Sequence, residues 1–325
     1  MTKINIFSGF LGAGKTTLIK KLISTAFAGE KLVLIENEFG EIGIDGGFLQ
    51  EAGIEITEMN SGCICCSLVG DFGKALAEVL ERYHPDRILI EPSGVGKLSD
   101  VIRAVEGINA HDVSISGAVT VADAGKCRMY MKNFGEFFND QIEHAGTIFM
   151  SHTGKLSEER VAAAVALLRE HNKEAVIVST DWEQLSGEQL LDAIERRDTL
   201  AAELEQLEHE HHHHEHDEHC GCGHDHHHHH ADEVFTSCGA ESTKLFTAEE
   251  ITASLEALED ERRFGMVLRA KGIVPAKDGK WLHFDYVPGE SDVREGAAGI
   301  IGRLCVIGAG IDKAALSTLF GVELH

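Results

Sequence analysis

The sequence predicts an α/β fold, a mainly parallel sheet with helices on both faces, followed by a small C-terminal α+β domain. Three observations carry that prediction. Short β-rich apolar runs alternate with amphipathic stretches over residues 1–194, the order expected of strand–helix–strand units joined by right-handed crossovers. No Lys or Arg occurs between Asp198 and Glu241, and so polar a stretch reads as a linker. Beyond it a new pattern of helix and period-two strand begins. The length agrees, since 325 residues exceed what one core comfortably fills.

The strands of the first unit are read from INIF, KLVLI, IEIT, RILIE, ISGAVTV, TIFM and AVIVS, each short, apolar and bounded by turn-formers. Helices are expected over Lys15 to Ala26, Leu68 to Arg82, Ser157 to His171 and Gly187 to Ile194, where aliphatic residues recur at three- and four-residue spacing. Residues 195–241 are rich in acids and histidines and have little apolar surface to bury, so they are expected to stay disordered. Residues 242–325 form the second unit. Thr247 and Glu250 make a capping box ahead of the stripe Ile251, Leu255 and Leu258. In WLHFDYV, Leu282, Phe284 and Tyr286 share one face. RLCVIG reads as a further strand, and a final helix follows Asp312.

Composition narrows the function. Hydrophobic residues at 43% and charged residues at 26% are ordinary globular values. No apolar run is long enough to cross a bilayer, and the start lacks the features of a secretory signal, so a cytoplasmic protein is expected. With 29 basic and 54 acidic residues the formal charge is −25, which repels nucleic acid and anionic lipid and attracts cations. Eight cysteines in a reducing compartment read as thiols.

Gly9 to Thr16 match G-x-x-x-x-G-K-[ST] between a strand and a helix, the context that the phosphate-binding motif requires. Gly9, Gly12, Ala13 and Gly14 let backbone amides wrap phosphates at the positive end of the following helix. Lys15 is positioned for the β- and γ-phosphates, Thr16 for Mg²⁺, and Thr17 for another phosphate. In RILIEPSG an apolar strand ends in Glu91, with Gly94 three residues on. At the carboxyl end of a parallel strand this acid is expected beside the phosphates, where it can orient water. The fold class is therefore a P-loop NTPase type, with Lys15 and Glu91 as catalytic candidates.

Cys63, Cys65 and Cys66 place three sulfurs within four residues. Thiolates suit Zn²⁺ foremost, and a tetrahedral shell needs a fourth donor. Glu36, Glu38 and Glu41 are candidates for it, with Glu36 favoured. The alternatives are small buried hydrophobes or a vicinal disulfide. Cys127, Cys238 and Cys305 are solitary and read as packing residues.

Taken in order, GFLGAGKTTL, ENEFGEIGID, GCICC and EPSG closely resemble the CobW-like family of P-loop GTPases, metallochaperones related to the nickel-insertion GTPases of hydrogenase and urease maturation. The resemblance covers residues 1–194 and, from RAKG onward, the family's C-terminal domain. It implies that Gly12, Gly14, Lys15, Thr16 and Thr17 hold phosphates and Mg²⁺, that Glu91 belongs to the metal-and-water motif, and that Cys63, Cys65 and Cys66 carry the metal. One element departs. Where the family has Asn-Lys-x-Asp, this chain has Ser151, His152, Thr153 and Gly154. The motif's Asp reads the guanine edge, which Gly154 cannot do; GTP is what the resemblance implies, with ATP or relaxed base choice as the alternative.

Thirteen histidines lie between His209 and His230, interleaved with acids and the Cys220–Cys222 pair. His211, His213, Cys220, Cys222, His226 and His228 are candidates for labile metal sites, and a solvated spacer is the plainer alternative. The expected function is nucleotide-driven delivery of Zn²⁺ to a client metalloprotein. The rivals are metal storage or sensing with a regulatory nucleotide site, and insertion of Co²⁺ or Ni²⁺. Neither nucleic acid nor membrane is an expected partner, and self-association into a homo-oligomer stays open.

Overall fold

The structure, a computed structural model, describes residues 1–36, 55–58, 69–107, 113–196 and 236–325. The chain divides into two compact units, Met1–Arg197 and Asp198–His325.

In the first unit the strands are β1 (Thr2–Gly9), β2 (Leu32–Glu36), β3 (Glu55–Glu58), β4 (Arg87–Glu91), β5 (Val113–Asp123), β6 (Thr147–Ser151) and β7 (Val176–Val178). They form one parallel sheet in the order β3-β2-β4-β1-β5-β6-β7. The helices are α1 (Lys15–Thr25), α2 (Val69–Tyr83), α3 (Leu98–Glu106), α4 (Cys127–Glu143), α5 (Glu158–His171) and α6 (Gly187–Ile194). Alternation along β1 shows why both faces need cover. Ile4 and Ile6 join Ile88 and Ile90 in a core closed by Leu76 of α2, Leu98 and Val101 of α3, Phe138 and Ile142 of α4, and Leu168 of α5. Phe7 points the other way and is fully buried, and on that side α1 packs against α6.

The second unit is a five-stranded antiparallel sheet, ordered β11-β10-β9-β12-β8. Its strands are β8 (Thr236–Ser242), β9 (Met266–Pro275), β10 (Trp281–Val287), β11 (Glu290–Glu295) and β12 (Gly302–Ala309), and its helices are α7 (Ala248–Ala257), α8 (Glu261–Phe264) and α9 (Lys313–Phe320). The capping box at Thr247 and Glu250 is formed. Ile251, Leu255 and Leu258 are buried with Leu282, Phe284 and Tyr286, and Phe284 stacks on Phe320.

One expectation is corrected here. Residues 236–241, read from the sequence as linker, belong to β8, which pairs antiparallel with β12 from Thr236 to Ser242. TSCGAES is small and polar and has no alternation to announce a strand. Ladder pairing and burial of Cys238 and Ala240 decide its conformation instead.

Candidate functional site

The site forms where the parallel strands end. β1 runs into a turn in which the Ala13 amide bonds the Phe10 carbonyl, and α1 starts at Lys15 with Gly14 as its N-cap. Gly9 has φ +142, and a Cβ there would run into the Val121 carbonyl of β5, so the chain can turn away from the sheet only with glycine at this position. The loop surrounds a cleft of about 410 Å³ lined by Leu11, Gly12, Gly14, Lys15, Thr16, Thr17, Glu91, Pro92, Ser93 and Gly94. Gly9 and Ala13 stand behind that lining as scaffold.

The polar groups in the cleft converge. The Lys15 ammonium donates to the Gly9 carbonyl at 3.1 Å and stands 4.0 Å from Glu91 Oε1. The Thr16 hydroxyl donates to Glu91 at 3.1 and 3.3 Å. All three side chains come from the ends of adjacent strands or the helix between them, because β4 lies next to β1. Glu36, the last residue of β2, is the register partner of Glu91, so the two residues' backbones are direct neighbours across the sheet, about 4.8 Å apart. Both are buried, at 9% exposure. A hydroxyl and a carboxylate at the mouth of a glycine-rich turn are hard oxygen donors, the set that Mg²⁺ takes together with phosphate and water.

Gly94 contributes by its small size. A Cβ there would lie 2.8 Å from the Leu11 amide nitrogen. The buried Gln141 of α4 fixes this second turn by donating to the carbonyls of Gly94 and Gly96 at 3.1 and 2.8 Å. Sequence reasoning overlooked Gln141, which sits outside any motif and is found only through the packing of α4 on the 92–96 turn.

Of the thiols, Cys127, Cys238 and Cys305 are buried. Desolvation, aided by the charge of Asp123, pushes the Cys127 thiol up to about 12, and burial raises Cys238 to about 11. Both are inert packing thiols at neutral pH. Cys63, Cys65 and Cys66 lie outside the described residues, as do His211, His213, Cys220, Cys222, His226 and His228. Among the described residues no cluster of three or more His, Cys, Asp or Glu is arranged to hold a metal, and no helix is long and apolar enough to cross a membrane.

Comparison with known proteins matches residues 3–179 to the family described as "CobW/HypB/UreG, nucleotide-binding domain" and residues 235–322 to "Cobalamin synthesis protein cobW C-terminal domain". The chain is 41% identical over 127 residues to a protein of Sinorhizobium sp named zinc chaperone CobW, covering 37% of this chain and 36% of the relative. It is 28% identical over 193 residues to the zinc chaperone YeiR of Escherichia coli, covering 59% and 58%. With the zinc-regulated GTPase metalloprotein activator 1 of Schizosaccharomyces pombe it shares 27% identity over 192 residues, covering 56% and 46%. The matched stretches thus span about a third to three fifths of these relatives' lengths.

Proposed function

The chain belongs to the CobW/HypB/UreG nucleotide-binding family, and from that premise we propose that it hydrolyses GTP and carries Zn²⁺ to a client metalloprotein. The observation that supports this most is the meeting of Lys15, Thr16 and Glu91 in one cleft, with Glu36 in register beside Glu91. A phosphate site and an acidic zinc candidate are then one strand apart.

The chemistry follows from the donors. Loop amides and the Lys15 ammonium bind and neutralise the phosphates. The Thr16 hydroxyl would hold Mg²⁺, which would supply further charge neutralisation for the phosphates. Glu91 fixes the orientation of that hydroxyl and is placed to accept a hydrogen bond from a water aligned on the terminal phosphate. Zinc is the cargo, held by Glu36 with the thiolates of Cys63, Cys65 and Cys66. Loss of the terminal phosphate changes the charge facing the acids at this sheet end, which makes zinc affinity depend on the nucleotide state. The similarity to proteins named as zinc chaperones and a zinc-regulated activator favours zinc over Co²⁺ or Ni²⁺.

The test measures zinc affinity of the intact chain without nucleotide, with GDP and with a non-hydrolysable GTP analogue. Equal affinities in all three states would remove the coupling. Cys65→Ser is expected to lose the ion and keep basal hydrolysis.

A second reading, metal storage with a regulatory nucleotide site, is favoured by the thirteen histidines between His209 and His230. Lys15→Ala separates the two. A store retains its protective effect against zinc excess in that variant, whereas a chaperone retains the metal and fails to activate its client.

A further inference from the structure

We infer that Asp181 supplies the carboxylate that reads the guanine base, the role that the family resemblance would give to position 154, which is glycine in this chain; the inference rests on the nucleotide-hydrolase reading above. β6 and β7 are parallel neighbours, paired from Thr147 and Val176 onward. The turns that follow them therefore leave the sheet at the same end as the phosphate loop. Both turns reach that loop. A Cβ built on Gly14 would lie 3.4 Å from the Trp182 ring and 4.0 Å from Ser151 Cβ.

Across these two turns, the nearest atom to a Cβ built on Gly154 is Asp181 Oδ2, at 3.6 Å. An aspartate at 154 would bring its carboxylate up against one already there. The absent side chain and the present one form a single exchange, with the carboxylate kept in place and the strand that supplies it changed from β6 to β7. Asp181 is also held in position, because its Oδ1 accepts the Glu183 amide at 3.1 Å and caps the 3-10 turn Trp182–Gln184. A second feature marks the same edge. Ser151 is buried to 3% exposure, and among the described residues its hydroxyl has no hydrogen-bond partner, a polar group whose burial is costly unless a ligand or water bonds it.

The base follows from the chemistry of a fixed carboxylate. Guanine presents two parallel donors, N1–H and the 2-amino group, which match the two acceptor oxygens. Adenine presents an acceptor at N1 and is repelled. A site built around such a pair discriminates strongly, because the wrong base leaves the carboxylate facing a lone pair.

Asp181→Asn tests this without removing the cap, since the amide oxygen can still accept the Glu183 amide. Affinities for GDP, xanthosine diphosphate and ADP are measured on the full chain. Wild type is expected to favour GDP over ADP by about 100-fold or more. Asp181→Asn is expected to lose roughly tenfold or more in GDP affinity and to gain xanthosine diphosphate, whose 2-oxo group accepts from the new amide. Adding Gly154→Asp to Asp181→Asn is expected to restore the preference for GDP, which a merely structural role for Asp181 would not produce. Unchanged base preference in Asp181→Asn overturns the inference. So does equal binding of GDP and ADP by wild type, and if Lys15→Ala then abolishes both, the phosphate-loop reading survives alone. If wild type binds none of the three nucleotides, both readings fall together.

Discussion

Thr16 and Glu91 stand 75 residues apart in sequence, yet the threonine hydroxyl rests between the two carboxylate oxygens at 3.1 and 3.3 Å. The contact links the start of α1 to the end of β4, which are brought together because β4 is the hydrogen-bonded neighbour of β1. It joins the group that would hold a metal to the group that would orient water. Glu91→Gln keeps shape and hydrogen bonding and removes the negative charge. GDP affinity is expected to stay within a few-fold, while single-turnover phosphate release falls by about 100-fold or more. A variant that releases phosphate at the wild-type rate would remove Glu91 from the chemistry.

The turn at Gly94 tests how closely the two loops must approach. Gly94→Ala places a methyl 2.8 Å from the Leu11 amide, and the backbone on either side cannot give way easily because Gln141 anchors the Gly94 and Gly96 carbonyls. Overpacking of this kind costs about 1–3 kcal/mol. The cost is expected to appear as weaker GDP binding, by calorimetry, with a smaller change in melting temperature. Wild-type GDP affinity would show that the approach of the two turns does not matter for the nucleotide.

Much of this arrangement is legible in the sequence because several local signals agree. The glycine spacing around Lys15 works only between a strand and a helix, and RILIE carries its acid at the strand end that a parallel sheet brings to that loop. Thr247, Glu250 and Asp312 announce helix starts by capping chemistry, and the structure has helices at both. Two features were not legible, each for its own reason. α4 went unread because NFGEFFND carries Gly135 and asparagines of low helix propensity, and the helix does break locally, at Phe134 with φ −135 and ψ 30. Phe134 lies 5.0 Å from the Phe10 ring and Tyr130 lies 4.4 Å from it, so packing under the phosphate loop holds a helix that propensity alone does not. Asp181 was invisible for a different reason. Its meaning depends on a glycine 27 positions earlier, a relation that exists only once β6 and β7 lie side by side.

The thiols divide by environment. Burial raises Cys127 from its ordinary 9.0 to about 12, and its Sγ also donates to the Asp123 carbonyl at 3.2 Å. The folded state therefore holds this proton more tightly than the unfolded state. The resulting stability is fully present below pH 9 and is lost as pH rises toward 12. Alkylation with iodoacetamide at pH 8, read by mass spectrometry, is expected to leave Cys127 and Cys238 unmodified in the native protein and to label both after denaturation. Native labelling of Cys127 would mean that its thiol is far more open than this packing allows.

The capping box of α7 gives the second unit a defined response to acid. Thr247 Oγ1 accepts the Glu250 amide at 3.1 Å, while the Glu250 carboxylate accepts the Thr247 amide at 2.9 Å and the Lys277 ammonium at 2.6 Å. Lys277 first, and then the Thr247 amide, hold the Glu250 carboxyl below its usual 4.5. A carboxyl depressed in the folded state adds stability above its unfolded value, and that stability is lost as pH falls through the lower folded value. Thr247→Ala is expected to cost about 1 kcal/mol at pH 7. Glu250→Gln is expected to be destabilising at pH 7, with the difference from wild type closing as pH is lowered through 4.5 and below. Hydrogen exchange of the α7 amides, followed from pH 7 to pH 3 with denaturant titrations at each pH, reads both effects. A Glu250→Gln difference that stays constant across that range would assign the loss to the amide's shape and take the charge out of the cap.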